Sequence, residues 1–521
     1  MSKSAVAFCA AALASILISA TVASGRPILA ARWSLLWLLA LWAGLWVLGV
    51  ALAIRLPTRL ALALVVVAAL AVRAAALAGG PTTSDDLYRY AWDGHVQAAG
   101  IDPYQYPPAA PQLAGLRESW LWPDAVQCRV LHRPPGCTRI NRPDARTIYP
   151  PGAEAWFSAV HHLAGGGARY KAWQVAGLLV DLTTVGLLAV AAHRWGRDPR
   201  WVALYALCPA PVLEFVNNGH VDGVAVALTA AAFAVAARPG SSARWRAGPA
   251  RDVAVGLLLG VAVLVKLYPA VVFAVLPALP RARPWRSALR STLAAGVVAV
   301  AAYLPHVLRV GAHAVGYLPG YLKEEHYDNG SRFLLLGAPG IHGRVAAVLA
   351  GVALATAVTW VLCRRPPAVQ GAAVLLGMLL LVTTPVQPWY AISLLAIATI
   401  AGWPWWAVVV AAGYPYFFAV ILDYRHTTAL GQVSYAIALL VIVAVSILRI
   451  GTRVKPWTRS ISRTRPKNRI TPTHASWLNQ GELFFCILEP RLLRRGEFDW
   501  SRHQSECRRA PSSSARRFPR S

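Results

Sequence analysis

Apolar runs of about 20 residues, the length a helix needs to cross a bilayer, recur along almost the whole of this chain. In lipid every backbone N–H and C=O must be paired within the chain, which leaves helices or a closed barrel. No period-two alternation accompanies the runs, so the expected fold is an all-α polytopic membrane protein. Composition agrees: 57% of the 521 residues are hydrophobic and 14% are charged, against roughly 25% charged in soluble domains.

The expected spans are 6–23, 34–54, 60–78, 173–192, 201–216, 221–237, 253–279, 287–304, 345–363, 368–384, 389–400, 405–421 and 434–448. The run 253–279 is interrupted by "KLYP" and flanked by basic turns at both ends, so it reads as a broken helical hairpin that returns to the side it entered from. Such breaks are tolerated where they line a cavity. The result is a bundle of about 12–14 spans.

The formal charge of +29 would suit nucleic acid, but the bases lie in turns between apolar runs and in the tail. Charge placed there is a topology signal and a lipid contact, and no nucleic-acid partner is expected. The turns "HRWGRDPR", "RPGSSARWRAGPARD", "RARPWR" and "CRRPP" belong inside. The long polar segment 79–149, "YLKEEHYDNGSRF", "TTPVQPWY" and "DYRHT" then fall outside without any basic turn being forced outward. "YPPGAEAWFSAVHHLAG", starting at Tyr149, is too short and polar to span and reads as an interfacial helix entered through Pro151. Residues 1–450 form the membrane module, with 79–165 its external loop. Residues 451–521, with 16 basic and 5 acidic side chains, read as a disordered cytoplasmic tail.

Every unusual polar cluster lands on the outer side. Asp85 and Asp86 stand at the mouth of a span, inside "SDDLYRYAWDGHVQAAGIDPYQYPP". They could be satisfied helix-end charges, or a general base that takes a proton from an attacking sugar hydroxyl. Paired acids are compatible with a divalent metal and equally with none. In "NNGHVDG", Asn218, His220 and Asp222 either cap the next helix or hydrogen-bond a phosphate or sugar. Lys266 interrupts "GLLLGVAVLVKLYPAVVFAVLP", where an ionisable group is costly. It either snorkels to an interface or meets a lipid phosphate, with Arg332 and Arg89 as further cations. Trp389 and Tyr390 of "PVQPWY" suit an aromatic belt or a sugar face. Asp93 and Asp102, further into the loop, are expected to tolerate substitution better than the pair.

The segments "TTSDDLYRYAWDGHVQAAGIDPYQYPP", "YPPGAEAWF", "NNGHVDG", "VKLYP" and "PVQPWY", in that order, resemble the GT-C superfamily of polyprenyl-phosphate-sugar-dependent glycosyltransferases. The chain is most similar to bacterial polyprenyl-phosphomannose-dependent mannosyltransferases of the family 87 type. The resemblance implies a GT-C helical bundle in a bacterial plasma membrane with its active site outside. It implies a polyprenyl-phosphate sugar donor, a cell-envelope glycolipid or glycan acceptor, and transfer of a hexose, mannose by resemblance, in one inverting displacement. It places the catalytic base at Asp85 or Asp86, and basic residues such as Lys266 at the lipid phosphate.

A transporter or flippase for a polar or lipid-linked solute would also need intramembrane charge and broken helices. A large external loop with paired acids has no obvious use there, and no inverted repeat is apparent. A non-catalytic scaffold would not gather its polar motifs on one face. Of the seven cysteines, Cys9, Cys208 and Cys363 lie in apolar runs, whereas Cys128 and Cys137 share the external loop and are placed to pair if it is outside.

Overall fold

The computed structural model describes residues 2–25, 28, 33–131, 133–165, 167, 169–237 and 248–453. The chain divides into a compact unit Met1–Ser446 and a second unit Ile447–Ser521. The expected tail lies, beyond residue 453, outside the described residues.

The first unit is an all-α polytopic membrane fold. Three apolar helices lead, α1 (Lys3–Ser24), α2 (Trp33–Arg55) and α3 (Thr58–Ala76). The segment 79–165 holds α4 (Asp86–Ala98) and α5 (Pro151–Ala164), the latter entered through Pro151 as expected. Helices α6 (Tyr170–Arg194), α7 (Asp222–Ala236), α8 (Pro249–Val265) and α9 (Pro284–Val310) follow. After the short α10 (Leu318–Glu324) come α11 (Gly343–Arg364), α12 (Ala368–Thr383), α13 (Ile392–Ala401), α14 (Val408–Ile421) and α15 (Thr427–Arg453). Among the described residues, eight helical stretches are long and apolar enough to cross a membrane, and four shorter apolar helices of 10–17 residues accompany them.

The sequence expected 201–216 to be one continuous span, and it is not. It breaks into Pro199–Val202, Ala203–Ala206, Pro209–Pro211 and a π-helical turn Val212–Asn217. The cause is Pro209 and Pro211, which lack the N–H a continuous helix needs. Cys208, directly before a proline, is extended at ψ 133°.

The break at "KLYP" is present. Helix α8 stops at Val265, Lys266 is extended (φ −149°, ψ 141°), and a 3-10 segment runs Tyr268–Ala278. The hairpin closes on itself, because Arg281 Nε beyond the second arm lies 3.0 Å from Asp252 Oδ1 in the first turn of α8. Helix α8 packs closely on α9 through glycine: a Cβ on Gly256 would stand 2.1 Å from the Ser291 carbonyl oxygen.

A buried ion pair ties α3 to α6. Arg73 Nε meets Asp181 Oδ2 at 2.7 Å, both side chains being fully buried. Tyr205 donates to Asp181 Oδ1 at 2.6 Å, and Arg73 Nη1 donates to the Ala206 carbonyl at 2.7 Å. At the other end of the contact, Lys171 of α6 donates to the carbonyls of Leu77 and Gly79, capping α3.

Candidate active site

The chain leaves α3 and turns sharply, placing Asp85 at the N-cap of α4 and Asp86 in its first turn. Carboxylates are stabilised there by the helix dipole. Asn141, from further along the same polar segment, donates Nδ2 to Asp85 Oδ1 at 3.1 Å and to Asp86 Oδ1 at 2.5 Å. The two acids therefore share one amide and face the same space.

That space is a cavity of about 510 Å³. Asp85, Asp86, Lys266, Arg332, Trp389 and Tyr390 all line it, as does Arg89. Segments as far apart in the sequence as Asp85 and Tyr390 thus meet at one site. One wall is apolar: Phe417, Val420 and Ile421 of α14 border the cavity, and the last two are exposed.

The cations are held differently. Lys266 Nζ sits 3.3 Å from Asp222 Oδ2 and over the rings of Tyr149 and Tyr390, at 5.1 and 5.3 Å. Its side chain is 15% exposed, so the ammonium still faces the cavity. The guanidinium of Arg332 is engaged at all three nitrogens: Nε donates to the Glu325 carbonyl, Nη1 to Tyr416, and Nη2 to the Glu325 carboxylate. Arg89 chelates Asp93 through Nε at 3.0 Å and donates Nη1 to the Ala145 carbonyl, leaving Nη2 without a partner.

Asn218, His220 and Asp222 do not line the cavity; they form a buried layer behind it. His220 Nδ1 is 3.5 Å from Asp86 Oδ2, and its ring stacks on Trp389 at 3.9 Å. Asn218 Nδ2 donates to Thr83 Oγ1 and Glu214 Oε2, while its Oδ1 accepts from the backbone N–H groups of Thr82 and Thr83. Gly219 between them has φ +66°, a conformation glycine adopts without penalty.

The electrostatics separate the two acids. Enclosure raises Asp85 above the usual carboxylate range, and the neighbouring Asp86 charge raises it further. Burial would raise Asp86 as well, but the hydrogen bond and charge of His220, with Lys266 and Arg142, override this and hold it at about 2. Asp86 is therefore anionic at neutral pH and sits beside two cations.

Several site residues were not singled out from sequence. Arg142 joins Glu324 across the cavity with a bidentate pair at 2.6–2.9 Å. Asn141 and Arg142 belong to a loop rich in Arg, Pro and Asp, where nothing distinguishes them. Glu214 was detectable, being the one acid in the apolar stretch 201–216. Gln387, inside "PVQPWY", donates to Glu325 Oε1 at 2.8 Å. Among the described residues no group of three or more His, Cys, Asp or Glu is arranged to hold a metal ion. Cys128 and Cys137 are bonded to each other, with their Cα atoms 5.9 Å apart.

The family model described as Glycosyltransferase family 87 matches residues 147–385. That region holds "NNGHVDG", Lys266 and Arg332; Asp85 and Asp86 precede it. Among solved structures, ArnT from Cupriavidus metallidurans bound to undecaprenyl phosphate aligns at 16% identity and TM-score 0.42, over 75% of this chain and 79% of that one. The archaeal oligosaccharyltransferase AglB from Archaeoglobus fulgidus, in complex with an inhibitory peptide and a dolichol-phosphate, aligns at 10% identity and TM-score 0.35, over 71% of this chain and 55% of that one. No curated protein matches the chain.

Proposed function

We propose that the chain is a membrane glycosyltransferase, a reading supported by the family 87 match over residues 147–385 and by the apolar helices. The donor is a polyprenyl-phosphate sugar. The sugar is a hexose, and mannose on the sequence resemblance alone. The acceptor is a hydroxyl of a cell-envelope glycolipid or glycan, and the site faces outward from a bacterial plasma membrane.

One observation carries this reading. A single cavity joins an anionic carboxylate with a second acid beside it, a cation and an apolar wall on which Val420 and Ile421 are exposed. A lipid-linked sugar has the matching parts: a greasy chain, a phosphate and a sugar in sequence. The chain lies along α14, the phosphate meets Lys266, and the anomeric carbon comes to rest beside Asp86.

In the reaction the acceptor oxygen attacks the anomeric carbon and the bond from that carbon to the phosphate oxygen breaks. The acceptor proton passes to the Asp86 carboxylate as the new bond forms. The electron pair leaves with the phosphate, whose added charge Lys266 stabilises. A single displacement inverts the anomeric centre, and one carboxylate suffices because no covalent intermediate forms. Tyr390 and Trp389 present ring faces suited to a sugar. Arg332 and Arg89, whose nitrogens are largely engaged, shape the cavity around the phosphate.

The test is transfer of labelled sugar from polyprenyl-phosphate mannose and polyprenyl-phosphate glucose by the purified protein in nanodiscs. Transfer that inverts the anomeric centre and disappears in Asp86→Asn supports the reading. Absence of transfer from every lipid-linked donor would sink it.

A further inference from the structure

Behind Asp86 lies a line of buried groups that do not line the cavity. His220 Nδ1 faces Asp86 Oδ2 at 3.5 Å, and His220 Nε2 faces Glu214 Oε2 at 3.5 Å. His220 and Glu214 are buried, and Trp389, stacked on the imidazole at 3.9 Å, separates it from the cavity. Glu214 is fixed in turn: Tyr414 donates to Oε1 at 3.0 Å and Asn218 Nδ2 to Oε2 at 2.9 Å. Asn218 then holds the Thr82 and Thr83 amides, the chain that leads into Asp85 and Asp86. Asn217 Oδ1 accepts from the Thr82 amide as well, at 3.0 Å.

The backbone that carries these groups is itself unusual. Glu214 and Asn217 sit on the π-helical turn Val212–Asn217. Such turns are rare and concentrate at functional sites. Here the turn and its C-cap Asn218 place Glu214 beside His220, and Asn217 and Asn218 against the chain that leads into Asp85 and Asp86.

We propose, on the reading of Asp86 as the base, that His220 and Glu214 are positioning residues. The buried acid–imidazole–acid line orients the Asp86 carboxylate and keeps it charged. Neither residue touches substrate. A charged imidazole between Asp86 and Glu214 places its two nitrogens 3.5 Å from an oxygen of each carboxyl group. The other groups around this line are accounted for. Asp85, Asn141, Arg142 and Lys266 face Asp86 from the cavity side. The Tyr90 hydroxyl lies 3.5 Å from His220 Nδ1, and Asp222 lies beyond it toward Lys266.

The sign of the pH dependence follows. Asp86 is held at about 2, so the wild-type rate should not fall through the mildly acidic range. Burial lowers His220, but Asp86 and Glu214 outweigh it and lift the imidazole to about 9, so the line is charged at neutral pH and loses its cation only above that. Without the imidazolium, Asp86 rises and activity is lost as pH falls through the new value.

The experiment compares wild type, His220→Gln, His220→Lys, Glu214→Gln and Asp85→Asn in nanodiscs, with kcat and donor KM followed against pH. In His220→Gln the acid limb of kcat should move up by roughly 1–3 pH units, with donor KM little changed. Glu214→Gln should move it the same way by less, and it carries the test alone if His220→Gln does not fold. His220→Lys, which keeps a cation, should restore the wild-type limb, and Asp85→Asn should leave it in place. A pH-independent loss in both His220→Gln and Glu214→Gln, or an unmoved limb, overturns the proposal. Infrared titration of the carboxyl groups separates this from the function: a band absent in Asp86→Asn should shift upward in His220→Gln even if no donor is turned over. If that band stays where it is in the wild type, the positioning role fails while the transferase reading stands on the activity assay.

Discussion

Lys266 and Asp222 are a pair in which one partner is wholly buried and the other reaches the cavity. Removing one member of such a pair leaves an uncompensated charge, at about 3–5 kcal/mol. Lys266→Ala should therefore lose both stability and donor binding. The double variant Lys266→Ala/Asp222→Asn should recover the stability without the binding, as thermal melting and a donor-binding assay in detergent would show. Equal recovery of both would make Lys266 a structural cation. Asp86→Asn keeps size and hydrogen bonding but not basicity, and should lower transfer by ~10²–10⁴-fold, with Asp85→Asn falling less; labelled-sugar transfer by the two purified variants decides. Asp93 and Asp102, expected from sequence to be tolerant, are buried and paired with Arg89 and His306, so their replacement acts on stability. The acids and Lys266 were legible because charge beside an apolar run is costly and needs a reason. Asn141 and Arg142 were not, because an amide or an arginine in a polar loop has many uses and spacing carries no information about which it serves.

Helices declared themselves in the sequence wherever a single apolar run sufficed, and α1, α2, α3, α11 and α12 lie where the runs put them. The stretch 201–216 misled because hydropathy counts side chains and ignores missing N–H groups. The two prolines were visible, but what the freed backbone does next depends on neighbours far away in the sequence. The α8–α9 contact is similarly hidden in composition and plain in space. Gly256→Ala would drive a methyl against the Ser291 carbonyl and should cost about 1–3 kcal/mol, read as a lower melting temperature. Gly296→Ala, on α9 with nothing within 4 Å of a new Cβ, should be neutral or slightly stabilising. If the two variants melt alike, the close approach of α8 to α9 contributes nothing to the fold.

The whole molecule is organised by sidedness. If basic turns mark the inner face, single cysteines placed in 111–146 should react with an impermeant thiol reagent in intact cells. Those placed in the turn 195–198 should not react until the membrane is opened. The reverse pattern would invert the assignment and put the cavity on the cytoplasmic face. The buried pair Arg73–Asp181 adds a constraint of a different kind, on how such a chain is made. The two residues are 108 positions apart, and Asp181 lies near the middle of α6, where a lone carboxylate opposes membrane entry by about 2.5–3.5 kcal/mol. Helix α3 is synthesised first, and it already carries the counter-ion by the time α6 emerges. During biogenesis, then, α6 has a partner waiting for it, and its integration depends on a helix that left the ribosome more than a hundred residues earlier. A nascent chain with Arg73→Leu should let α6 slip out of the bilayer more often, and Arg73→Leu/Asp181→Leu should restore integration. The joining of α6 to α3 through Arg73 and Asp181 is thereby tied to the order in which the chain is born.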